Sequence, residues 1–227
     1  MKKTFYTEAA WLAGAVFLAL GTALMERADF GMSSVVAPAY ILHLKLSQIF
    51  PFFSFGMAEY TLQAVLLVLL GIFMGRFRKS YLFSFITALV YGTLLDLIMI
   101  PVGMIPASSF VIRLILYLCG MAVCAIGVAF YFRTYITPAA YELTVMEVSS
   151  KLKADQGKTK IIYDVVSCII AVILSFLFFG FGHFEGVKAG TVICAFLNGI
   201  LINFFSGIIE RLFEFKDGLA LRKYFEI

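Results

Sequence analysis

Apolar residues fall in long unbroken runs along this chain, and those runs set its architecture more than any short periodicity does. A membrane-spanning helix needs about 20 mostly apolar residues. Six stretches qualify: 9–25, about 56–72, 81–100, 110–132, 161–181 and 189–209. The first and last carry no charge, and the third carries only Asp96. Arg113 and Asp164 stand near the starts of the fourth and fifth. Arg76, Arg78 and Lys79 close off the second run, and Pro101 and Pro106 mark a short turn after the third. The pattern predicts an all-α membrane protein with six transmembrane helices.

Two connections, 28–55 and 134–157, are too long to be plain loops, and connections of that length usually carry structure or function of their own. The first is apolar through Val35, Val36, Ala37, Ile41, Leu42 and Leu44. Each is read as an additional helix, re-entrant or amphipathic. Ser33 or Ser34 is the expected cap of the first. Thr137 is the expected N-cap of the second, with Pro138 at its first helical position and Gly157 at its end. Leu143, Met146 and Leu152 alternate there with Glu142, Glu147 and Ser149, which places the two glutamates on a solvated face unless that helix dips deeply.

The halves resemble each other. Gly21, Ala23 and Arg27 recur as Gly127, Ala129 and Arg133 at a shift of 106 residues, and Leu46 recurs as Leu152. Gly92, Leu94 and Asp96 align with Gly199, Leu201 and Asn203 at a shift of 107. Each half reads as span, dipping helix, span, span. Three spans per half turn the second half upside down, giving two inverted repeats of about 1–104 and 107–212. Residues 1–227 are then one transmembrane domain with a short cytoplasmic tail at 213–227.

Composition narrows the class. The chain is 62% hydrophobic and 14% charged, against about 25% charged in soluble domains, so lipid is its solvent. Its mean hydropathy is +0.98. Fourteen of the eighteen Lys and Arg residues fall on one side when the N-terminus is placed inside, which predicts cytoplasmic termini. Only Arg27, Lys45, Arg113 and Lys188 fall outside. The net charge of +4 is spread between spans, so nucleic acid is not an expected partner. Lys2 and Lys3 precede a run with no convincing cleavage site, so 9–25 is expected to be a span and not a signal peptide. Four cysteines and two histidines lack metal-ligand spacing. With no nucleophile elbow, P-loop or HExxH motif either, no metal, cofactor or enzymatic activity is expected.

Ionisable groups inside a span are costly and mark functional sites. Asp96 and Arg113 are expected to meet as an ion pair near the outer side. Asp164 is expected near Lys158, Lys160 and Arg133, and Arg27 near Asp29 or Glu59. Arg27, Arg113 and Arg133 are candidate gate or ion-pair residues. Asn198, Asn203 and Gln63 suit interhelical hydrogen bonds. Gly14, Gly21, Gly120, Gly127, Gly190 and Gly199 suit close helix approach.

The stretch from Gly21 to Ser34 resembles the "G-x-A … A-D-x-G-x-S-P" signature of the YczE/YyaS-type bacterial membrane proteins, which are related in pattern to the YitT group. Ala28, Asp29, Gly31 and Ser33 match, and Ser34 stands where proline is common. The stretch from Gly186 to Gly199 resembles the late "G-x-R-E-G-T-x-I-x-A-x-x-x-G" signature. There Gly190, Thr191, Ala195 and Gly199 match, with Lys188 in place of arginine and Ala189 in place of glutamate. The run ending at Asp96 resembles a third-span "G-x-x-x-D" element. The resemblance implies a multi-pass protein of the bacterial cytoplasmic membrane and, loosely, a permease.

The reading that follows is a transporter or permease working by alternating access on a small solute, of a class that includes anions. Inverted repeats with partial helices are the architecture of many secondary transporters. Helix N-termini at mid-membrane suit an anion. The expected site is lined by Asp29, Gly31, Ser33, Ser34, Thr137, Pro138, Asp96, Asp164, Gly190, Thr191 and Asn203. The expected partners are the lipid bilayer and a small solute, with a homo-oligomer or a membrane-protein partner compatible. The alternative is a non-transporting binding or assembly protein that supports another membrane or secretion system.

Overall fold

The structure is a computed structural model and describes residues 2–219 and 222. Eight helices and two short strands follow one another: β1 (Lys3–Tyr6), α1 (Thr7–Ala28), α2 (Ala37–Leu46), α3 (Phe55–Met74), α4 (Lys79–Gly103), α5 (Phe110–Tyr131), α6 (Ala140–Leu152), α7 (Gln156–Phe179), α8 (Ala189–Leu212) and β2 (Phe213–Lys216). Six of the helices are long and apolar enough to cross a membrane. They grow from the six predicted runs, and the chain is a multi-pass membrane protein.

Local chemistry fixes several helix ends. The Ser54 hydroxyl accepts from the Met57 amide at 3.0 Å and starts α3, and Gly75, at φ +71°, closes it. Asp155 caps α7 by accepting from the Lys158 amide at 2.9 Å. Asp29 ends α1 in the left-handed region, at φ 54°. Two boundaries differ from expectation. Pro101 does not end α4, which runs on to Gly103; the proline sits in the last turn, where little helix remains to be broken. Gly157 does not end α6, because Lys153 already turns left-handed and α7 has begun at Gln156.

The helices alternate in direction. α1 crosses α5 antiparallel, with Gly14 against Gly127 and Gly21 against Gly120. α1 runs parallel to α4, with the Thr22 and Tyr91 hydroxyls 3.1 Å apart. α5 runs parallel to α8, where the Tyr117 hydroxyl donates to the Gly190 carbonyl at 2.5 Å. α3 meets α4 at Gly56 and Gly92, so closely that a Cβ on Gly56 would strike the Gly92 carbonyl. Gly199, expected at such a contact, faces open space.

α2 and α6 each pack against both α3 and α7, so the two short helices form the wall between those long ones. The 13-residue α6 starts beside Gln63, about 16 Å of helix short of the end of α3. It finishes beside Phe73, whose carbonyl accepts from Lys151. The 10-residue α2 runs the opposite way. Its start is buried, and Lys45 near its end donates to the Phe178 carbonyl at the end of α7, at 3.2 Å. Val36 and Ala37 share one apolar core with Tyr141 of α6.

β1 and β2 pair in parallel, Lys3 opposite Phe213 through Tyr6 opposite Lys216. The pairing holds the segment before α1 and the segment after α8 at one end of the bundle, as an even number of crossings requires. The first stretch of the expected tail at 213–227 is therefore a strand. Beyond Leu219 only Arg222 of that tail is among the described residues.

Candidate functional site

Polar side chains gather where α2 and α6 begin, and the two places differ in chemistry. The lead into α6 is pinned by α4. Thr87 donates to the Thr137 carbonyl at 2.9 Å and Ser84 to the Pro138 carbonyl at 2.8 Å. Trp11 of α1 donates to the Thr87 hydroxyl at 3.1 Å. The expected cap Thr137 does not cap: the N-cap is Ala139, and it has no side-chain bond. The cap comes instead from α3, where Gln63 Oε1 accepts from the Ala140 amide at 3.0 Å. Pro138 lies two residues before the helix, and its fixed φ suits an extended lead as well as a first turn.

Gln63 also donates to Glu59 Oε2 at 3.2 Å, and the Tyr141 hydroxyl donates to the same oxygen at 2.9 Å. Glu59 and Gln63 are fully buried. Glu59 Oε1, Glu142 Oε2, Thr137 Oγ1 and the Tyr131 hydroxyl are buried with no hydrogen-bond partner in the protein. Glu142 and Glu147 are 7% and 5% exposed, so neither is on a solvated face. α6 lies within the bundle, and Glu147 pairs there with Arg78 at 2.5 Å. On α7, Asp164 pairs with Lys160 at 2.8 Å.

The lead into α2 packs on the start of α8. The Gly190 amide donates to the Phe30 carbonyl at 3.0 Å and the Met32 amide to the Gly186 carbonyl at 3.1 Å. Gly31 is at φ +105°, and a Cβ there would lie 2.5 Å from Thr191 Oγ1; glycine meets both the conformation and the space. Ser33 hydrogen-bonds Cys194, and Ser34 is buried. α2 begins at Ala37 after a backbone turn in which the Val36 and Ala37 amides bond the Ser33 carbonyl. Neither serine caps it through its side chain. Exposed Asp29 accepts from Arg113 at 3.0 Å and from Lys188 at 2.5 Å, and Arg113 also donates to the Ala28 carbonyl at 2.7 Å.

The expected site is thus brought together in part. Asp29, Gly31, Ser33 and Ser34 meet Gly190 and Thr191 at one lead. Thr137 and Pro138 form the other, and the Asp164 pair lies on α7, which packs on α6. Asp96 belongs to neither. It accepts from Ser54 at 2.5 Å and from the Gly56 amide at 2.7 Å, completing the cap of α3 from across the α3–α4 contact. It does not pair with Arg113, which Asp29 and the α1 carbonyls take. Asn203 is exposed on α8 and lines neither lead. Arg27 donates to the Ile105 carbonyl at 2.7 Å and not to Asp29 or Glu59. Arg133 pairs with Glu210 and not with Asp164. Gln63 does bond between helices, as expected; Asn198 Oδ1 has no partner.

The Glu59–Gln63–Tyr141–Glu142 group was not singled out from sequence. Its signal was present, since Glu59 is a carboxyl inside the second apolar run, where an ionisable group marks a candidate site. Among the described residues, no three His, Cys, Asp or Glu side chains converge to hold a metal ion.

A family model described as "Family of unknown function (DUF6198)" matches residues 5–207. No curated protein and no solved structure matches the chain.

Proposed function

The chain belongs to DUF6198, a family of unknown function, and we propose from geometry that it is a carrier for a small solute. It works by alternating access between two inverted halves of a bacterial cytoplasmic membrane protein. Both termini lie in the cytoplasm on this reading, because the end of the bundle that bears β1 and β2 carries most of the lysine and arginine. We also read the two glycine-rich signatures as kinship with the YczE/YyaS-type proteins.

One observation carries the reading. Exchanging α1 with α5, α2 with α6, α3 with α7 and α4 with α8 maps the main packing pairs onto one another. The contact of α1 with α4 becomes that of α5 with α8, and α2 on α7 becomes α6 on α3. The exchange reaches single residues. A shift of 106 turns the pair Gly14–Gly127 into Gly120–Gly21. Arg27, at the end of α1, holds the carbonyl of Ile105 just past α4, and Arg133, just past α5, holds Glu210 near the end of α8.

Two related halves can exchange their conformations, which yields two states open to opposite sides. α2 and α6 are the moving walls of this scheme, each closing one side of the gap between α3 and α7. Arg113 and Lys188, both held on Asp29, latch the outer side. An anionic group on the solute competes with Asp29 for these two cations and so couples binding to release of the latch. Lys160–Asp164 and Arg78–Glu147 are the corresponding contacts on the inner side.

A thermal-shift screen of the purified protein against small anions, amino acids, nucleobases and vitamins tests the reading. A ligand that binds only the folded state raises apparent stability by mass action. The expected result is a dose-dependent rise that Ser33→Trp or Thr191→Trp abolishes. A folded protein with no rise across the panel, and with a stoichiometric protein partner on purification, supports the assembly alternative instead.

A further inference from the structure

We propose that Glu59 and Glu142 form one proton-exchange site at the start of α6, and that this site couples proton movement to the carrier. The coupling clause rests on the reading above; the proton site does not.

A buried carboxyl is usually held by a cation or by a full set of donors. Glu59 has neither. Gln63 and Tyr141, both neutral, donate to Oε2, and Oε1 has no partner. Among the described residues, Glu59 and Glu142 take part in no ion pair. A second, independent observation comes from α5. The Tyr131 hydroxyl, 2% exposed, lacks a partner and feels the charge of Glu142. Glu142 Oε2 likewise has open bonding capacity. Unsatisfied buried oxygens of this kind are rare in folded proteins and call for an explanation.

The groups around the pair set the sign of its charge. α6 contributes Tyr141 beside Glu142. α4 contributes Tyr91, which feels the charge of Glu59. α7 contributes Tyr163, Asp164 and Lys160. α2 places Tyr40 and His43 against Phe55, one turn before Glu59. Lys160 is paired with Asp164, although its charge also reaches Glu142, and the charge of Glu142 acts on Glu59. Like charges so placed cannot both ionise cheaply, so the ligand that suits the pair is a positive one. No convergent set of metal ligands is present among the described residues, which favours a proton over a metal ion. Uptake joins one hydronium ion to one carboxylate and gives a carboxyl group and water, with no redox change.

The proton has a mechanical consequence. Glu59 holds Tyr141, and Gln63, bonded to Glu59, caps the first amide of α6. Loading the site therefore alters the grip of α3 on the start of α6, the wall that closes the inner side.

The chain supplies its own reporter. Trp11 is the one tryptophan, and its indole bonds Thr87, which bonds the α6 lead. Tryptophan emission of the purified full-length protein, titrated with pH and without solute, should show a single transition. It should be accompanied by a protonated-carboxyl carbonyl band in the infrared spectrum. Glu59→Gln should remove both. Glu142→Gln should keep the transition and move it to lower pH, because a repelling charge is gone. Persistence of transition and band in folded Glu59→Gln overturns the site, as does a transition driven by sodium at constant pH. If Glu59→Gln does not fold, an unmoved transition in Glu142→Gln overturns the shared site. A proton site confirmed here, with no solute found by thermal shift, leaves the site standing and counts against the carrier.

Discussion

Gly21 and Gly120 face each other across the crossing of α1 and α5: a Cβ on Gly21 would lie 2.6 Å from the Gly120 carbonyl oxygen, and one on Gly120 2.8 Å from that of Gly21. The pair Gly14 and Gly127 repeats the relationship, with corresponding distances of 3.0 and 2.9 Å. Lipid offers no hydrophobic drive between helices, so close backbone approach is the main source of association there. Gly21→Ala and Gly127→Ala should each cost about 1–3 kcal/mol through overpacking, and by similar amounts. Gly199→Ala, which meets nothing within 4 Å, should be neutral or slightly stabilising. Melting temperatures of the three variants check this.

Asp96 stabilises the start of α3 and has no part in either lead. Asp96→Ala removes the acceptor of Ser54 and of the Gly56 amide, and loss of a cap of this kind costs about 0.5–2 kcal/mol. The expected variant is less stable but keeps the pH transition of the wild type. A titration of tryptophan emission separates the two effects.

On the proposed carrier reading, Asp29 bears on gating more than on stability. Its pairs with Arg113 and Lys188 involve side chains 31–61% exposed, and exposed pairs are worth about 0–1 kcal/mol. Asparagine tolerates the left-handed backbone at this position, so Asp29→Asn removes the charge alone. It should leave the melting temperature nearly unchanged and speed maleimide labelling of Ser34→Cys, by freeing the α2 lead.

Glu8 ties the start of α1 to the segments that follow α5 and α8. It accepts from the Tyr135 hydroxyl at 2.6 Å and from the Gly218 and Leu219 amides at 3.0 and 2.8 Å. Glu8→Ala should cost about 0.5–1.5 kcal/mol and expose the segment after α8 to protease. Limited proteolysis is the check.

The long helices were legible because lipid selects for one simple property, an apolar run of sufficient length. Orders of burial within those runs were not. Asp96 and Glu59 are both carboxyls inside a span, yet one caps a neighbouring helix and the other lies at the polar centre, and that choice depends on which helix packs beside each. The same holds for the start of α6. Thr137 and Pro138 form a good local start signal, but the cap is Gln63, more than seventy residues away. Glu142 and Glu147 follow an amphipathic pattern that in a soluble helix would face water; here the polar face looks onto Arg78 and the buried carboxyls. β1 and β2 are four residues each and pair across almost the whole chain, a contact that no local pattern predicts. The shift of 106 was visible in Gly21 and Gly127, but only the crossing of α1 and α5 gives it a physical meaning.

Sidedness of labelling tests the central claim most directly. Single cysteines at Ser34 and Thr137, with Cys119, Cys124, Cys168 and Cys194 replaced, would be probed with a membrane-impermeant maleimide on vesicles of both orientations. Two inverted halves predict that Ser34→Cys reacts only from the outside and Thr137→Cys only from the inside. They also predict that Asp29→Asn raises the first rate while lowering the second. Reaction of both from one side, or rates that change independently of each other, would contradict alternating access between inverted halves.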